Sequence, residues 1–292
     1  MTGSRREGAS PVRRPEGRTA ALLALTVVCL YAMLVLAPLV PGVHPIVGSV
    51  IVTVLFTFGA LVAASLTAQL ALGPWVELGG LLLGIVNWLL YLIIGTSGPL
   101  ARLTATPAAD VLLVFAMIMG GLLLSRIVRE RTMIIPVAIV LALADVFTVF
   151  FGPTGAALEE IPNVVQAVSV KLPAMGSATG PAGIAGLTHI ATLGPGDTFF
   201  AALLFACVVR FGLNLARTFW WLLGVTAVGL GAIVALPQAP AVPVLPLIGG
   251  AFLVANWRDV TLTKREWSYV AIVIVFVIAL FAVMRYVVQA AL

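Results

Sequence analysis

Charged side chains are scarce in this sequence. They account for 9% of the 292 residues, whereas hydrophobic residues account for 62%. A soluble domain carries charge on about a quarter of its residues, and these charges form the shell that keeps it in solution. The shortage therefore excludes a soluble enzyme, a DNA-binding fold and a disordered chain. The mean hydropathy of +1.18 indicates a protein embedded in a lipid bilayer.

Cysteine and histidine are also rare, with two residues of each. Cys29 and Cys207 lie inside apolar runs, and their spacing gives neither a disulfide framework nor a metal site. The sequence also lacks a Ser/His/Asp set, a phosphate-binding glycine loop and a His-x-x-x-His pair. We therefore expect no metal and no cofactor. The net charge of +5 does not indicate a nucleic-acid partner, because the basic residues lie in short clusters between apolar runs, as in proteins that they orient in a membrane.

Long apolar runs, by contrast, are frequent. A helix needs about 20 apolar residues to cross the hydrocarbon core of a bilayer. Nine runs of this kind end at charged residues, proline or glycine, and they predict an all-α polytopic membrane protein with about nine transmembrane helices. We expect the first to be an uncleaved anchor. The predicted spans are 19–40, 46–72, 75–96, 110–128, 132–151, 183–209, 217–236, 242–256 and 267–290.

The Lys and Arg residues predict which ends of the spans face the cytoplasm. With the N-terminus inside, 13 of the 16 basic residues fall in cytoplasmic segments, as the positive-inside rule requires. This orientation puts the long connection 152–183 on the outer face, where it is either a linker or a flexible gate. A compact chain with no organelle-targeting segment predicts a multi-pass protein of a prokaryotic plasma membrane.

On this prediction the chain divides into four regions. The first two are a basic cytoplasmic tail at 1–18 and a bundle of spans one to four at 19–131. The helices of the candidate site follow at 132–256 and include the loop 152–183. An additional C-terminal span occupies 257–292.

Ionisable residues at membrane depth are costly, so each one is a candidate for function. Of the eleven acids, only Asp145 and Asp197 have apolar sequence on both sides, and no Lys or Arg lies in the interior of either span. If the two carboxyl groups face each other they can share one proton, so that one activates a water molecule and the other protonates the substrate. The residues alone also permit a proton or cation relay in a transporter, or two separate capped aspartates.

The sequence before Asp197 is irregular for a membrane span. Gly194, Pro195 and Gly196 precede it. Proline breaks a backbone hydrogen bond, and glycine lets another chain approach closely. Irregular backbone at this depth is tolerated where it lines protein or a water-filled cavity, and a hydrolase needs water beside its acid. His189 lies eight residues before Asp197, about two helical turns, so we expect it on the same helix face.

The eighth predicted span opens on Pro243, Val244, Leu245 and Pro246, whose prolines leave carbonyl groups free to pair with an extended substrate strand. An Asp late in one span, Gly-x-Gly-Asp in the next and Pro-x-Leu at the start of a later one resemble the presenilin and signal peptide peptidase family of intramembrane aspartyl proteases. The resemblance extends over about residues 132–256. It is carried by the segments ADVFTVFFGPTG, LGPGDTFFAALLFACVVRF and GLGAIVALPQAPAVPVLPLIGGAFLVA.

The resemblance implies a presenilin-like fold with Asp145 and Asp197 as the catalytic dyad. It also implies that the residues before Asp197 and the Pro243–Pro246 segment support the substrate. The predicted orientation matches signal peptide peptidases, so the implied substrates are signal peptides or membrane segments with a cytoplasmic N-terminus. The alternative is a secondary transporter or channel that uses the two aspartates as a relay. A third reading is a family member that has lost activity and only binds membrane segments, and the oligomeric state is left open.

The chain also departs from the family pattern. Ala144 stands where the family usually has tyrosine, and Pro195 occupies a position that is often leucine. Val244 replaces the alanine of the third motif, and its bulk is expected to narrow the cleft. Four predicted spans precede Asp145 where the family usually has five, and the chain adds a ninth span after the Pro-x-Leu segment.

Overall fold

The computed structural model describes residues 16–41, 44–94, 98–150, 169–179, 183, 188–235, 243–260 and 263–291. Over these residues the chain is mainly α-helical, with one two-stranded ribbon and three short 3-10 helices at Ala37–Leu39, Arg131–Met133 and Ser177–Thr179. Most of the predicted tail, much of the loop 152–183 and the approach to Pro243 lie outside the described residues. The helices are α1 Glu16–Leu36, α2 Pro45–Gln69, α3 Pro74–Ile94, α4 Pro99–Ser125, α5 Ile134–Phe150, α6 Pro195–Arg210, α7 Leu215–Ala235, α8 Leu245–Asn256 and α9 Lys264–Ala291.

Six helices of the described chain are long and apolar enough to cross a membrane, which confirms a multi-pass helical membrane protein. The other three predicted spans overlap with α6, α7 and α8. Of these, α6 has 16 residues and α8 has 12, so α8 rises only about 18 Å. The nine-span count stays a prediction. The six segments are Glu16–Leu39, Val47–Gln69, Pro74–Tyr91, Leu100–Ser125, Arg131–Val149 and Lys264–Val283.

Helix α4 begins earlier than the sequence predicted. The predicted span started at residue 110, whereas the helix starts at Pro99, directly after Gly98 with a φ of 133°. Proline is tolerated in the first turn of a helix, since its missing N–H would have no partner there. Arg102 lies between the predicted spans 75–96 and 110–128, although it is within the helix. Asp110 consequently lies inside α4, and its expected position at the end of a span is wrong.

Helix α6 occupies the centre of the bundle and packs against α2, α4 and α8. Nearly every side chain in its middle is buried, among them Phe200, Leu204 and Phe205. Close packing continues outward to α3, because a Cβ at Gly84 would lie 2.6 Å from the Cβ of Ala116 on α4. Asp197 therefore lies in the first turn of a helix whose middle is enclosed by its neighbours.

The ribbon pairs β1, Val170–Pro173, with β2, His189–Leu193, in antiparallel order. The predicted span 183–209 is therefore wrong in its first half, which contains a strand where a helix was expected. Gly194 is extended, with φ −64° and ψ 135°, because a residue before proline avoids the helical region. His189 lies on the strand, so it does not share a helix face with Asp197.

Candidate functional site

Asp197 lies in the first turn of α6, as its third residue. Pro195 opens the helix, and the N–H of Asp197 donates to the carbonyl oxygen of Gly194 at 3.2 Å. The side chain is half-buried and turns back toward the chain entering the helix, since a Cβ at Gly194 would lie 3.5 Å from Oδ2 of Asp197. A carboxylate at this position is stabilised by the positive end of the helix dipole.

Asp145 lies in the last two turns of α5 and is half-buried. Its Oδ2 accepts the backbone N–H of Leu245 at 3.0 Å, across a sequence separation of 100 residues. Leu245 is the first residue of α8, and the N–H groups of a first helical turn have no partner within the helix. Asp145 therefore caps α8 from another helix. This hydrogen bond links the Pro-x-Leu segment at the start of α8 to the end of α5.

The two aspartates converge on the start of α8. Asp197 lies close enough to Asp145 for their charges to interact. A cavity of about 30 Å³, enough for a water molecule, lies beside Asp197. Val244, which precedes the Leu245 bound by Asp145, lines the same cavity as Asp197. The lining residues are Thr57, Ala60, Leu61, Asp197, Thr198, Ala201, Thr226, Val244 and Ile248.

The predicted supporting residues divide into a packed set and an open set. Pro243, Val244 and Pro246 are half-buried around the start of α8. Gly194 and Gly196, by contrast, are exposed, and a Cβ at Gly196 would meet no described atom within 4 Å. The glycine side of the site is therefore open among the described residues.

Asp110 is a buried acid whose environment the sequence did not reveal. It is 4% exposed, and its Oδ2 accepts the backbone N–H of Lys171 on β1 at 3.3 Å. The sequence signal that could have found it is the Gly98-Pro99 pair, which is typical of a helix start and puts Asp110 three turns into α4.

Glu77 is buried as well, but it is neutralised by a basic partner. Its two carboxylate oxygens accept hydrogen bonds from Nε and Nη2 of Arg126 at 2.6 and 2.8 Å, so the ion pair is bidentate. Arg126 also donates to the carbonyl oxygen of Leu72 at 2.8 Å. The ion pair with Arg126 accounts for the burial of Glu77, so we assign it a structural role.

Among the described residues, no three His, Cys, Asp or Glu side chains come together to hold a metal ion.

Comparisons of the chain with family models, with curated proteins and with solved structures find no match. The resemblance of the three motifs is thus a resemblance in pattern and order. The chemistry of Asp145, Asp197 and the start of α8 is the basis on which a function can be inferred.

Proposed function

We propose that the protein is an intramembrane aspartyl endopeptidase that hydrolyses peptide bonds within membrane-spanning segments, with Asp145 and Asp197 as its catalytic dyad. One observation carries the proposal. Asp145 binds the N–H of Leu245, and Asp197 shares a cavity with Val244, so three motifs that are distant in sequence meet at one point. A structural cap would require Asp145 alone and would not explain a second acid within range of its charge.

The proposed chemistry uses one carboxylate as base and the other as acid. The ionised carboxylate takes a proton from water while the water oxygen attacks the carbonyl carbon of the substrate peptide. The protonated carboxyl group donates its proton to the carbonyl oxygen. The carboxyl group that took the proton from water then donates it to the amide nitrogen, and the carbon–nitrogen bond breaks. The other carboxylate takes a hydroxyl proton from the collapsing intermediate, so the products are a carboxylic acid and an amine and the dyad is restored. The cavity beside Asp197 has room for the attacking water.

A helical substrate hides its carbonyl groups, so the proposed cleavage requires a short extended stretch. The exposed Gly194 and Gly196 offer open space for that stretch on one side of Asp197. In this proposal the Pro243–Pro246 segment, held by Asp145 and sharing a cavity with Asp197, forms the other wall. An extended peptide between these walls brings one carbonyl group to both aspartates.

The finer predictions on architecture and substrate belong to the same proposal. We propose nine spans in a presenilin-like arrangement, with the N-terminus in the cytoplasm of a prokaryotic cell. In that orientation the substrates are signal peptides or anchors whose N-terminus is cytoplasmic. A reporter fused into the loop 152–183 tests the orientation, because outer-face activity supports it and cytoplasmic activity contradicts it.

A cleavage assay in liposomes tests the activity itself. The purified protein is mixed with a signal-peptide-like substrate, and Asp145→Asn and Asp197→Asn are compared with wild type. Glu16→Gln, at an exposed acid of α1, is the matched control. We expect cleavage by wild type and the control and none by either aspartate variant. Equal cleavage by all four contradicts the dyad, whereas proton uptake without cleavage by wild type supports the transporter alternative.

A further inference from the structure

The ribbon and the proposed catalytic acid are directly connected along the chain. β2 ends at Leu193, and only three residues separate it from Asp197. The hydrogen bond between Asp197 N–H and the carbonyl oxygen of Gly194 joins the helix to this short connection. A shift of β2 is therefore transmitted to the backbone that carries the carboxyl group of Asp197.

β2 is held in place through β1. Lys171 pairs with Thr192, and Val170 pairs with Leu193. β1 is firmly embedded, because Val170 and Leu172 are 0% and 2% exposed. It also contacts α2 and α4. The ribbon thus links the body of the bundle to the entrance of α6.

Asp110 forms a polar contact between this ribbon and α4. Its Oδ2 accepts the N–H of Lys171 at 3.3 Å, and the Lys171 ammonium lies near enough to attract it. A buried carboxylate is costly unless it is hydrogen-bonded or paired. The N–H of Lys171 supplies this hydrogen bond from the backbone of β1, so the position of β1 depends on Asp110.

We propose that Asp110 is a positioning residue for Asp197. It anchors Lys171 of β1 to α4, and through the pairing of β1 with β2 it fixes the backbone that delivers Asp197 to the site. The consequence for catalysis rests on the proposed function, whereas the anchoring itself does not. Asp110 lies in a cavity with Thr106 and His189 that is separate from the cavity beside Asp197, so it acts through the ribbon and does not touch substrate.

Two variants break the contact from opposite sides, and each has a matched control that keeps it. Asp110→Ala removes the acceptor, while Asp110→Asn keeps an oxygen that can accept the Lys171 N–H. Lys171→Pro removes the N–H donor without altering α4, and proline is tolerated at the edge of a sheet. Lys171→Ala is its matched control, because it removes the ammonium and keeps the N–H. Ile118→Ala, at a fully buried residue of α4 further from the ribbon, controls for general loss of stability.

Amide hydrogen exchange and steady-state kinetics are measured on each variant in the same detergent. For Asp110→Ala and Lys171→Pro we expect exchange at 189–197 to rise at least about tenfold, since the ribbon opens more often. We expect kcat to fall about ten- to hundredfold with KM little changed, because a displaced catalytic group slows chemistry. Asp110→Asn and Lys171→Ala are expected to stay within about threefold of wild type in both measurements. This is well short of the roughly hundredfold fall in kcat expected when a catalytic group is displaced.

Two results overturn the proposal. One is unchanged exchange at 194–197 in both Asp110→Ala and Lys171→Pro. The other is a loss of kcat in these variants no larger than in Ile118→Ala at matched stability. If Asp110→Ala does not fold, Lys171→Pro and Asp110→Asn carry the test. If wild type cleaves no substrate, the proposed function fails, and the exchange result still decides whether Asp110 holds the approach to Asp197.

Discussion

Glu77 and Asp145 are both acids on membrane helices, yet the chain satisfies them in different ways. Glu77 is 4% exposed and bound bidentately by Arg126, so its charge is neutralised by a cation. Asp145 accepts a backbone N–H from Leu245 instead, and neither it nor Asp197 forms an ion pair within the described part of the chain. The guanidinium holds Glu77 in an ion pair, whereas the N–H of Leu245 orients the Asp145 carboxyl group without a neighbouring positive charge. The second arrangement is the one that acid–base chemistry requires.

The largest expected effect comes from the central acids. Asp145→Asn and Asp197→Asn should each lower kcat by at least about a thousandfold, because a catalytic group that takes part in proton transfer is lost. The midpoint of thermal unfolding should stay the same or rise, since an unpaired charge is removed from a half-buried site. Cleavage kinetics and thermal unfolding in the same detergent check both expectations. A large loss of stability with little loss of kcat would make these acids structural, like Glu77.

Glu77 should behave in the opposite way. Glu77→Ala leaves the Arg126 guanidinium without its carboxylate and should lower the free energy of unfolding by about 2 kcal/mol. Arg126 is 41% exposed, so water compensates in part and the cost stays below that of a fully buried pair. Chemical denaturation measures the change, and Glu77→Gln is expected to recover part of it. A loss of cleavage at unchanged stability would contradict the comparison.

Val244 tests whether the cavity beside Asp197 receives a substrate side chain. Val244→Ala should enlarge the cavity beside Asp197 and raise cleavage of substrates with a bulky residue at the scissile bond about tenfold relative to small ones. The cost in stability should be about 1 kcal/mol, because the side chain is only half-buried. Competition between two substrates of different size measures the ratio. An unchanged ratio would show that the cavity does not receive a substrate side chain.

The smallest effect is expected at the second ion pair. Arg217 on α7 binds Asp259 just after α8, and both side chains are 35% exposed. Arg217→Gln should therefore cost about 0.5 kcal/mol and decrease in effect at high salt. Unfolding measured at two salt concentrations checks this. A loss of unfolding free energy as large as that of Glu77→Ala would mean that solvent exposure does not determine how much these ion pairs stabilise the protein.

The sequence predicted a helical membrane protein well, because the apolar length of each run is a property of neighbouring residues and needs no knowledge of distant contacts. Most of the runs that lack charge correspond to helices, and the scarcity of acids was enough to select Asp145 and Asp197. Their convergence was expected from the motif resemblance, and the contact of Asp145 with Leu245 adds a partner that the sequence did not indicate.

The errors arose where tertiary contacts override local pattern. Residues 189–193 are apolar enough for a span, but pairing with β1 and the proline at 195 make them a strand. Arg102 ended an apolar run without ending a helix, and the true start at Pro99 moved Asp110 inward. Hydropathy cannot distinguish these cases, because strand pairing and helix starts depend on contacts and backbone angles.

The central claim is that Asp145 and Asp197 act as one dyad, and cysteine cross-linking tests it most directly. In a chain with Cys29 and Cys207 replaced, Asp145→Cys is combined with Asp197→Cys and treated with a short thiol-reactive cross-linker. The control combines Asp145→Cys with Asp110→Cys, whose acid lies in a different cavity. We expect the first pair to be linked in membranes and the control to remain unlinked. A control that links while the 145 and 197 pair does not would contradict the dyad.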